Sequence, residues 1–449
     1  MPCLTLPDIR PGRLPPDDYA MRFADATPPM TRAQALSEAE RCLYCYDAPC
    51  TRACPTGIDV PSFIRRIAED NLRGAARAVL EVNPLGGMCA RVCPTEELCE
   101  HACVRNAQDG APVAIGRLQR HAVDALMWSA KPQLFARAAA TGKRVAVVGA
   151  GPAGLSCAHT LARHGHSVVV FDAHAKPGGL NEYGLASYKT AGNFAQKEVE
   201  WLFGIGGIDL HTRWTLETAA QFHALRQDFD ALFMGVGLTD THHLGVPGED
   251  LAGVRDAVEF IANLRQSEDL STVPIGRRVL VIGGGMTAVD AAVQSRLLGA
   301  DSVTMVYRRG PAELSASKEE RQWAQTNGVS IRHWLAPVEL VGEGGHVRAV
   351  KFAQQALVDG RLTSTGAVET LDADMVLKAI GQTLGSAMLA ETGLLLSAGR
   401  IAADATGRTN LPGVWAGGDC RAGGLGLTVD AVEHGKRAAL SIHTHLSGA

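Results

Sequence analysis

The chain has 449 residues and a formal net charge of −4, so it is too long for one ordinary core and has no basic excess for a nucleic-acid surface. No apolar run approaches the roughly 18 residues that span a membrane, and the Pro-rich start up to Ala20 lacks the apolar heart of a signal peptide. The expected class is a cytoplasmic protein of two or three domains, with neither a nucleic-acid nor a membrane partner.

Residues 1–30 read as a poorly ordered arm, and 31–138 as an α-helical domain rich in cysteine. Ser37 to Arg41, Val60 to Leu72 and the stretch 116–129 predict amphipathic helices. Eight of the 11 cysteines lie between Cys42 and Cys103. They fall into Cys42-x2-Cys45-x4-Cys50-x3-Cys54-Pro55 and Cys89-x3-Cys93-Pro94-x4-Cys99-x3-Cys103. A 4Fe–4S cube needs one soft anionic ligand per iron, and closely spaced thiolates supply them. Structural zinc would use paired C-x2-C knuckles, and only Cys42 and Cys45 form one. Disulfides do not suit a long cytosolic chain. Two iron–sulfur clusters are therefore expected. In two-cluster ferredoxin-type motifs the cysteine ahead of proline ligates the other cluster, which sends Cys54 away from Cys42, Cys45 and Cys50. Cys3, Cys157 and Cys420 stand apart and read as ordinary thiols.

Residues 139–255 change to alternating strand and helix. Arg144 opens a buried strand, Gly149-Ala-Gly151-Pro152-Ala153-Gly154 follows as a GxGxxG turn into a helix, and a second strand from Ser167 ends at Asp172. Gly149 permits the turn, Gly151 lets a pyrophosphate approach the helix N-terminus, Gly154 lets helix and strand pack closely, and Asp172 stands where an acid bonds a ribose hydroxyl. Gly179 and Leu180 follow shortly after.

The pattern recurs in 256–384. Gly283-Gly-Gly285-Met286-Thr287-Ala288 follows a strand, and the next strand ends at Arg308-Arg309 with no acid. This predicts a nicotinamide-nucleotide site, including Ala379 and Gly381 at the end of a later strand. Arginines there can pair a 2′-phosphate, yet NADH and NADPH both stay open. Residues 385–449 are too short for a further domain and are expected to complete the first fold. A strand ending in Gly418-Asp419, then a helix after Gly426-Leu427-Thr428, reads as the second half of an FAD site, with Asp419 on the ribityl or pyrophosphate region and the helix dipole aimed at the isoalloxazine.

With these motifs in order, the chain from about Thr31 onward resembles the glutamate synthase small subunits and the N-terminal half of dihydropyrimidine dehydrogenase. The resemblance implies a helical N-terminal iron–sulfur domain followed by α/β Rossmann-type domains for FAD and NAD(P)H. It implies one cluster on Cys42, Cys45, Cys50 and Cys103, and a second on Cys54, Cys93, Cys99 and Gln119. Cys89 matches a family cysteine that is not a ligand. Lys189 matches a flavin-side arginine, and Ser315 stands where the animal enzyme has a further arginine. Tyr183 to Thr190 and Trp201 to Ile208 resemble the small subunit of bacterial NAD-dependent dihydropyrimidine dehydrogenase more than a glutamate synthase small subunit. The implied role is electron entry, from NAD(P)H through FAD and two clusters to an FMN- and iron–sulfur-containing partner in a hetero-oligomer that reduces uracil or thymine. The alternative is the NADPH-oxidising subunit of glutamate synthase. No Ser/His/Asp or paired-acid constellation points to a catalytic residue, and His121, His164 and His434 read as surface or helix positions.

Overall fold

The computed structural model describes residues 14–385 and 389–448, so Cys3 lies outside the described residues. By contacts the chain divides into two units. One comprises 27–182, 189–240 and 383–449; the other comprises 1–26, 183–188 and 241–382.

The first unit opens with helices. Arg32–Ala39 begins before the predicted Ser37, because Thr31 and Gln34 close a capping box. Val60–Ala68 is capped by Asp59, whose carboxylate accepts from Ser62 N at 3.1 Å, and buries Val60, Phe63, Ile64 and Ile67 along one stripe. It stops short of the predicted Leu72. Asp70 adopts φ 58°, and Asn71 caps a new helix, Leu72–Leu80. Gly86–Val92 and Ile115–Met127 follow, with the short helices Pro49–Ala53 among the cysteines and Arg105–Asp109 after them.

The same unit continues into a five-stranded parallel sheet in the order Val414–Ala416, Ala231–Met234, Arg144–Val148, Ser167–Phe171, Ile208–His211. The chain's last strand thus joins its edge, with Trp415 opposite Phe233. Helix Pro152–Arg163 returns from the first strand and packs on the C-terminal helix Thr428–Ser447, where a Cβ on Gly435 would fall on the Ala153 carbonyl and Ser156 donates to Val432 O at 2.7 Å.

The second unit carries the other parallel sheet, ordered Val254–Asp256, Met375–Lys378, Arg278–Ile282, Ser302–Tyr307, Val329–His333, and an antiparallel meander of Leu335–Glu343, His346–Val358 and Arg361–Asp372. Residues 1–13 of the expected arm lie outside the described residues, and from Leu14 on the chain packs into this unit. Helix Pro16–Arg22 buries Tyr19 in the core with Leu264, Val273 and Leu298. An aromatic ring there gains about 2 kcal/mol by leaving water, which offsets part of the cost of ordering a short helix. Among the described residues no helix is long and apolar enough to cross a membrane.

Candidate functional site

The cysteines gather by two different routes. Cys42, Cys45, Cys50 and Cys103 line one small cavity with Leu43, Ile64 and Ile115. Burial lifts the Cys50 thiol to about 11, with Cys103 and Cys42 adding to the shift. Burial, Cys45 and Cys103 likewise raise Cys42. Cys54, Cys93 and Cys99 are mutual neighbours. Contact with the Cys89 thiol, burial, and then Cys99 and Cys54 hold Cys93 well above its ordinary value, and burial, Glu100 and Cys54 raise Cys99. All the described cysteines are free thiols. Among the described residues no three His, Cys, Asp or Glu side chains are placed to share one metal ion. The four around the cavity surround a space, which suits a cube with one thiolate per corner better than a single zinc. Soft donors whose ionisation is penalised by burial and by one another gain most from a cationic iron centre, so the donor set fits the clusters.

Gln119 is buried on Ile115–Met127, and its Nε2 donates to the Gly86 carbonyl at 2.6 Å. That carbonyl opens the helix that delivers Cys93. The bond commits the amide nitrogen and leaves the amide oxygen as the atom that could face iron. Cys157 and Cys420 are buried in the core.

A buried carboxylate that sequence reasoning missed holds the second cysteine group. Glu198, fully buried on helix Phe194–Phe203, accepts from Gly87 N at 2.7 Å and Met88 N at 3.2 Å, capping Gly86–Val92 from a distant part of the chain. Burial raises it to about 8, against the Gly87 and Met88 N–H groups and Arg91. Arg91 is itself held by Asp124 at 2.7 Å and lies over the Phe194 ring.

The Gly149 loop has the close contacts a dinucleotide site requires. Gly149 has φ 101°, and a Cβ there would strike the Gly235 carbonyl, while one on Gly154 would fall on the Gly149 carbonyl. Helix Pro152–Arg163 has no side-chain cap at Gly151, which leaves its first N–H groups for an anion. Gly179 abuts Gly151, so that a Cβ on Gly179 would lie 2.7 Å from the Gly151 Cα, and Leu180 beside it is 40% exposed. Asp172 is more committed than expected. Its oxygens accept from Ala150 N at 2.6 Å and His174 N at 2.8 Å, so it fixes the glycine loop, and a ribose hydroxyl would add to those bonds. Asp419 is partly buried, has no hydrogen-bond donor among the described residues, and is raised above its ordinary range by burial. That leaves it to accept from a ribityl hydroxyl. Helix Thr428–Ser447 is also uncapped at Leu427, just after Gly426 (φ 68°), although the Thr428 hydroxyl itself donates to Asn181 at 2.9 Å. Lys189 sits partly buried next to buried Thr190. These features fit FAD.

In the other unit a cleft of about 680 Å³ is lined by Gly283, Gly285, Thr287, Arg308, Arg309, Ser315, Ala379 and Gly381. Helix Met286–Leu297 starts uncapped at Gly285. Met286 does not line the cleft, and Ala288 is wholly buried beneath it, as its packing role requires. Arg308 and Arg309 are exposed and make no side-chain hydrogen bond or ion pair among the described residues, so both guanidinium groups are available to a phosphate. Ser315 only reaches Gly284 O at 3.5 Å. His242, His243 and Lys378 line the same cleft and were not foreseen. Lys378 pairs with Glu249 at 3.0 Å and Asp256 at 3.3 Å. Burial opposes ionisation of Glu249, but the Leu244 N–H, Lys378 and the Gly245 N–H hold it down at about 2. The same carboxylate thereby fixes the 244–249 turn beside the cleft.

His121 Nδ1 donates to Met30 O at 3.2 Å, His164 follows helix Pro152–Arg163, and His434 is buried 3.8 Å from Asp430. None of the three lines the nucleotide cleft.

Residues 143–435 match the pyridine nucleotide-disulphide oxidoreductase family, and residues 19–130 match dihydropyrimidine dehydrogenase domain II, 4Fe-4S cluster. The chain is 34% identical over 425 residues to the NAD-dependent dihydropyrimidine dehydrogenase subunit PreT of Escherichia coli, covering 95% of this chain and 97% of that one. It is 33% identical over 459 residues to the glutamate synthase [NADPH] small chain of the same organism, covering 97% and 96%. In fold it is similar to FprA of Mycobacterium tuberculosis in complex with NADPH, with a TM-score of 0.56 at 21% identity over 68% of this chain and 85% of that one.

Proposed function

The chain belongs to the pyridine nucleotide-disulphide oxidoreductases, with a 4Fe–4S domain ahead of the nucleotide domains, and on that premise we propose that it is the electron-entry subunit of a dihydropyrimidine dehydrogenase. It oxidises NAD(P)H and passes single electrons to an FMN- and iron–sulfur-containing catalytic subunit, which reduces uracil or thymine to the 5,6-dihydropyrimidine. The bound FAD and clusters supply the conversion of a two-electron hydride into single electrons.

The chain's own residues bind, orient and insulate. The uncapped helix starts at Gly151 and Gly285 receive pyrophosphates, Asp419 and the Thr428 helix face the flavin side, and Arg308 and Arg309 meet the nucleotide's far end. Cys42, Cys45, Cys50 and Cys103 hold one cluster; Cys54, Cys93, Cys99 and Gln119 hold the other. Leu43 and Val104 line the first cysteine cavity and are exposed, which gives a route out to a partner surface.

The observation that carries this reading is the union in one chain of two dinucleotide glycine loops and two cysteine groups, with no barrel for a pyrimidine-reducing flavin among the described residues. Likeness to a relative named as a subunit over 95% of this chain supports the need for a partner. The glutamate synthase reading draws on a relative of nearly equal identity. Mixing the purified chain with each candidate partner separates the two. Uracil-dependent NADH oxidation supports the pyrimidine enzyme. Turnover of glutamine with 2-oxoglutarate supports the alternative and defeats the first.

A further inference from the structure

We propose that the Thr56 hydroxyl tunes the reduction potential of the cluster held by Cys54. Thr56 is 5% exposed, and its hydroxyl lies 3.3 Å from the Cys54 sulfur. Among the described residues no other group takes that hydroxyl, and burial denies it water. An iron-bound thiolate carries no proton, so the hydroxyl must be the donor. Cys54-Pro-Thr56-Gly57 forms a turn closed by Gly57 N to Cys54 O at 2.9 Å, which sets the side chain facing back along its own ligand.

The turn is held from outside as well. Lys436, on the C-terminal helix, donates to Thr56 O at 3.2 Å and to Val82 O at 3.0 Å. At the sister turn, Cys93-Pro94-Thr95, no hydrogen bond joins the Thr95 hydroxyl to the Cys93 sulfur among the described residues, and the main chain closes as Thr95 N to Cys93 O at 2.8 Å. The two cysteine–proline corners are therefore inequivalent: among the described residues the Cys54 corner has a hydroxyl bonded to its sulfur and the Cys93 corner does not.

A donor on a ligating sulfur withdraws charge and favours the more negative, reduced cluster, so it raises the potential. Thr56 acts through Cys54 and is a positioning residue. The inference rests on Cys54 being an iron ligand. It does not depend on which partner receives the electrons.

The test is an EPR-monitored redox titration of the intact flavin- and cluster-loaded chain, with acid-labile sulfide measured on each sample. Thr56→Val keeps the shape and removes the hydroxyl; Thr56→Ser keeps the hydroxyl. The expected result is that Thr56→Val lowers one of the two cluster midpoints by about a tenfold shift in its one-electron equilibrium, about 59 mV, while Thr56→Ser stays near the parent. Unchanged midpoints in Thr56→Val, or loss of sulfide in place of a shift, would overturn the proposal. A parent protein that carries both clusters and is bleached by NAD(P)H but gives no uracil-dependent turnover defeats the functional reading alone.

Discussion

Replacing Glu198 tests whether a neutral buried acid joins the cysteine helices to the flavin fold. Glu198 is raised to about 8 from an ordinary 4.5, chiefly by burial. The folded state therefore binds a proton that the unfolded chain releases between these values. The sign follows directly: the stabilisation is fully present below pH 4.5 and is lost as pH rises through about 8. The full swing is about 5 kcal/mol, at no more than about 1.4 kcal/mol per pH unit. Glu198→Gln keeps an acceptor for the Gly87 and Met88 N–H groups and cannot ionise. It should match the parent near pH 5, flatten the pH dependence, and exceed the parent's stability at pH 8.5. Glu198→Ala leaves two buried N–H donors unpaired at about 1–3 kcal/mol each, and should be the least stable at every pH. Urea midpoints followed by flavin release from pH 5 to 8.5 read all three. Parallel pH profiles for parent and Glu198→Gln would refute the assignment of the titration to this carboxyl.

Gly154→Val should yield protein with little flavin, read as the 450 nm to 280 nm absorbance ratio, because any Cβ there meets the Gly149 carbonyl. Replacing Arg308 and Arg309 together with Ala should raise the NADPH KM about 10- to 100-fold and the NADH KM far less, since charge-assisted phosphate bonds are worth about 1.5–3 kcal/mol; equal effects on both would show that the pair does not discriminate. Lys378→Met should cost about 3 kcal/mol in thermal unfolding near neutral pH by stranding Glu249 and Asp256. That loss should shrink in acid, because Glu249 is depressed to about 2 and its stabilisation disappears as pH falls from 4.5 through that value.

The nucleotide loops were legible because their requirements are local. A Cβ at Gly149 or Gly154 collides with main chain a few residues away or on the adjoining strand, and any chain that makes this turn meets the same constraint. The strand periodicities are local in the same way. The division of the cysteines was less local: the proline rule moved Cys54, but sending Cys103 back to Cys42 needed the family resemblance. What stayed hidden was carried by long-range polar contacts. Glu198 reads as one more polar position in an amphipathic helix until Gly87 is placed against it, 111 positions away along the chain. Lys378 reads as the polar end of a strand until Glu249 arrives from 129 positions away. Tyr19 reads as part of a loose arm until the Leu298 carbonyl is set beside its hydroxyl.

The division of the chain into units follows the electron carriers more closely than the order of motifs. Composition suggests a boundary near residue 138, yet the cysteine helices and the flavin fold form one unit. Specific contacts bind them: Glu198 caps the Gly86 helix, Lys436 ties the Thr56 turn and Val82 to the C-terminal helix, and Arg163 meets Glu81 at 2.9 Å. Single-electron transfer slows steeply with distance, so a flavin and a cluster on a hinge would exchange electrons at a fluctuating rate. A buried carboxyl group bonded to two main-chain N–H groups and a lysine spanning two carbonyls are costly to rearrange, and they hold the cysteine helices against the flavin fold within one unit. The nicotinamide cleft lies in the other unit, and its nucleotide is a diffusible reactant that has to be exchanged at every turnover.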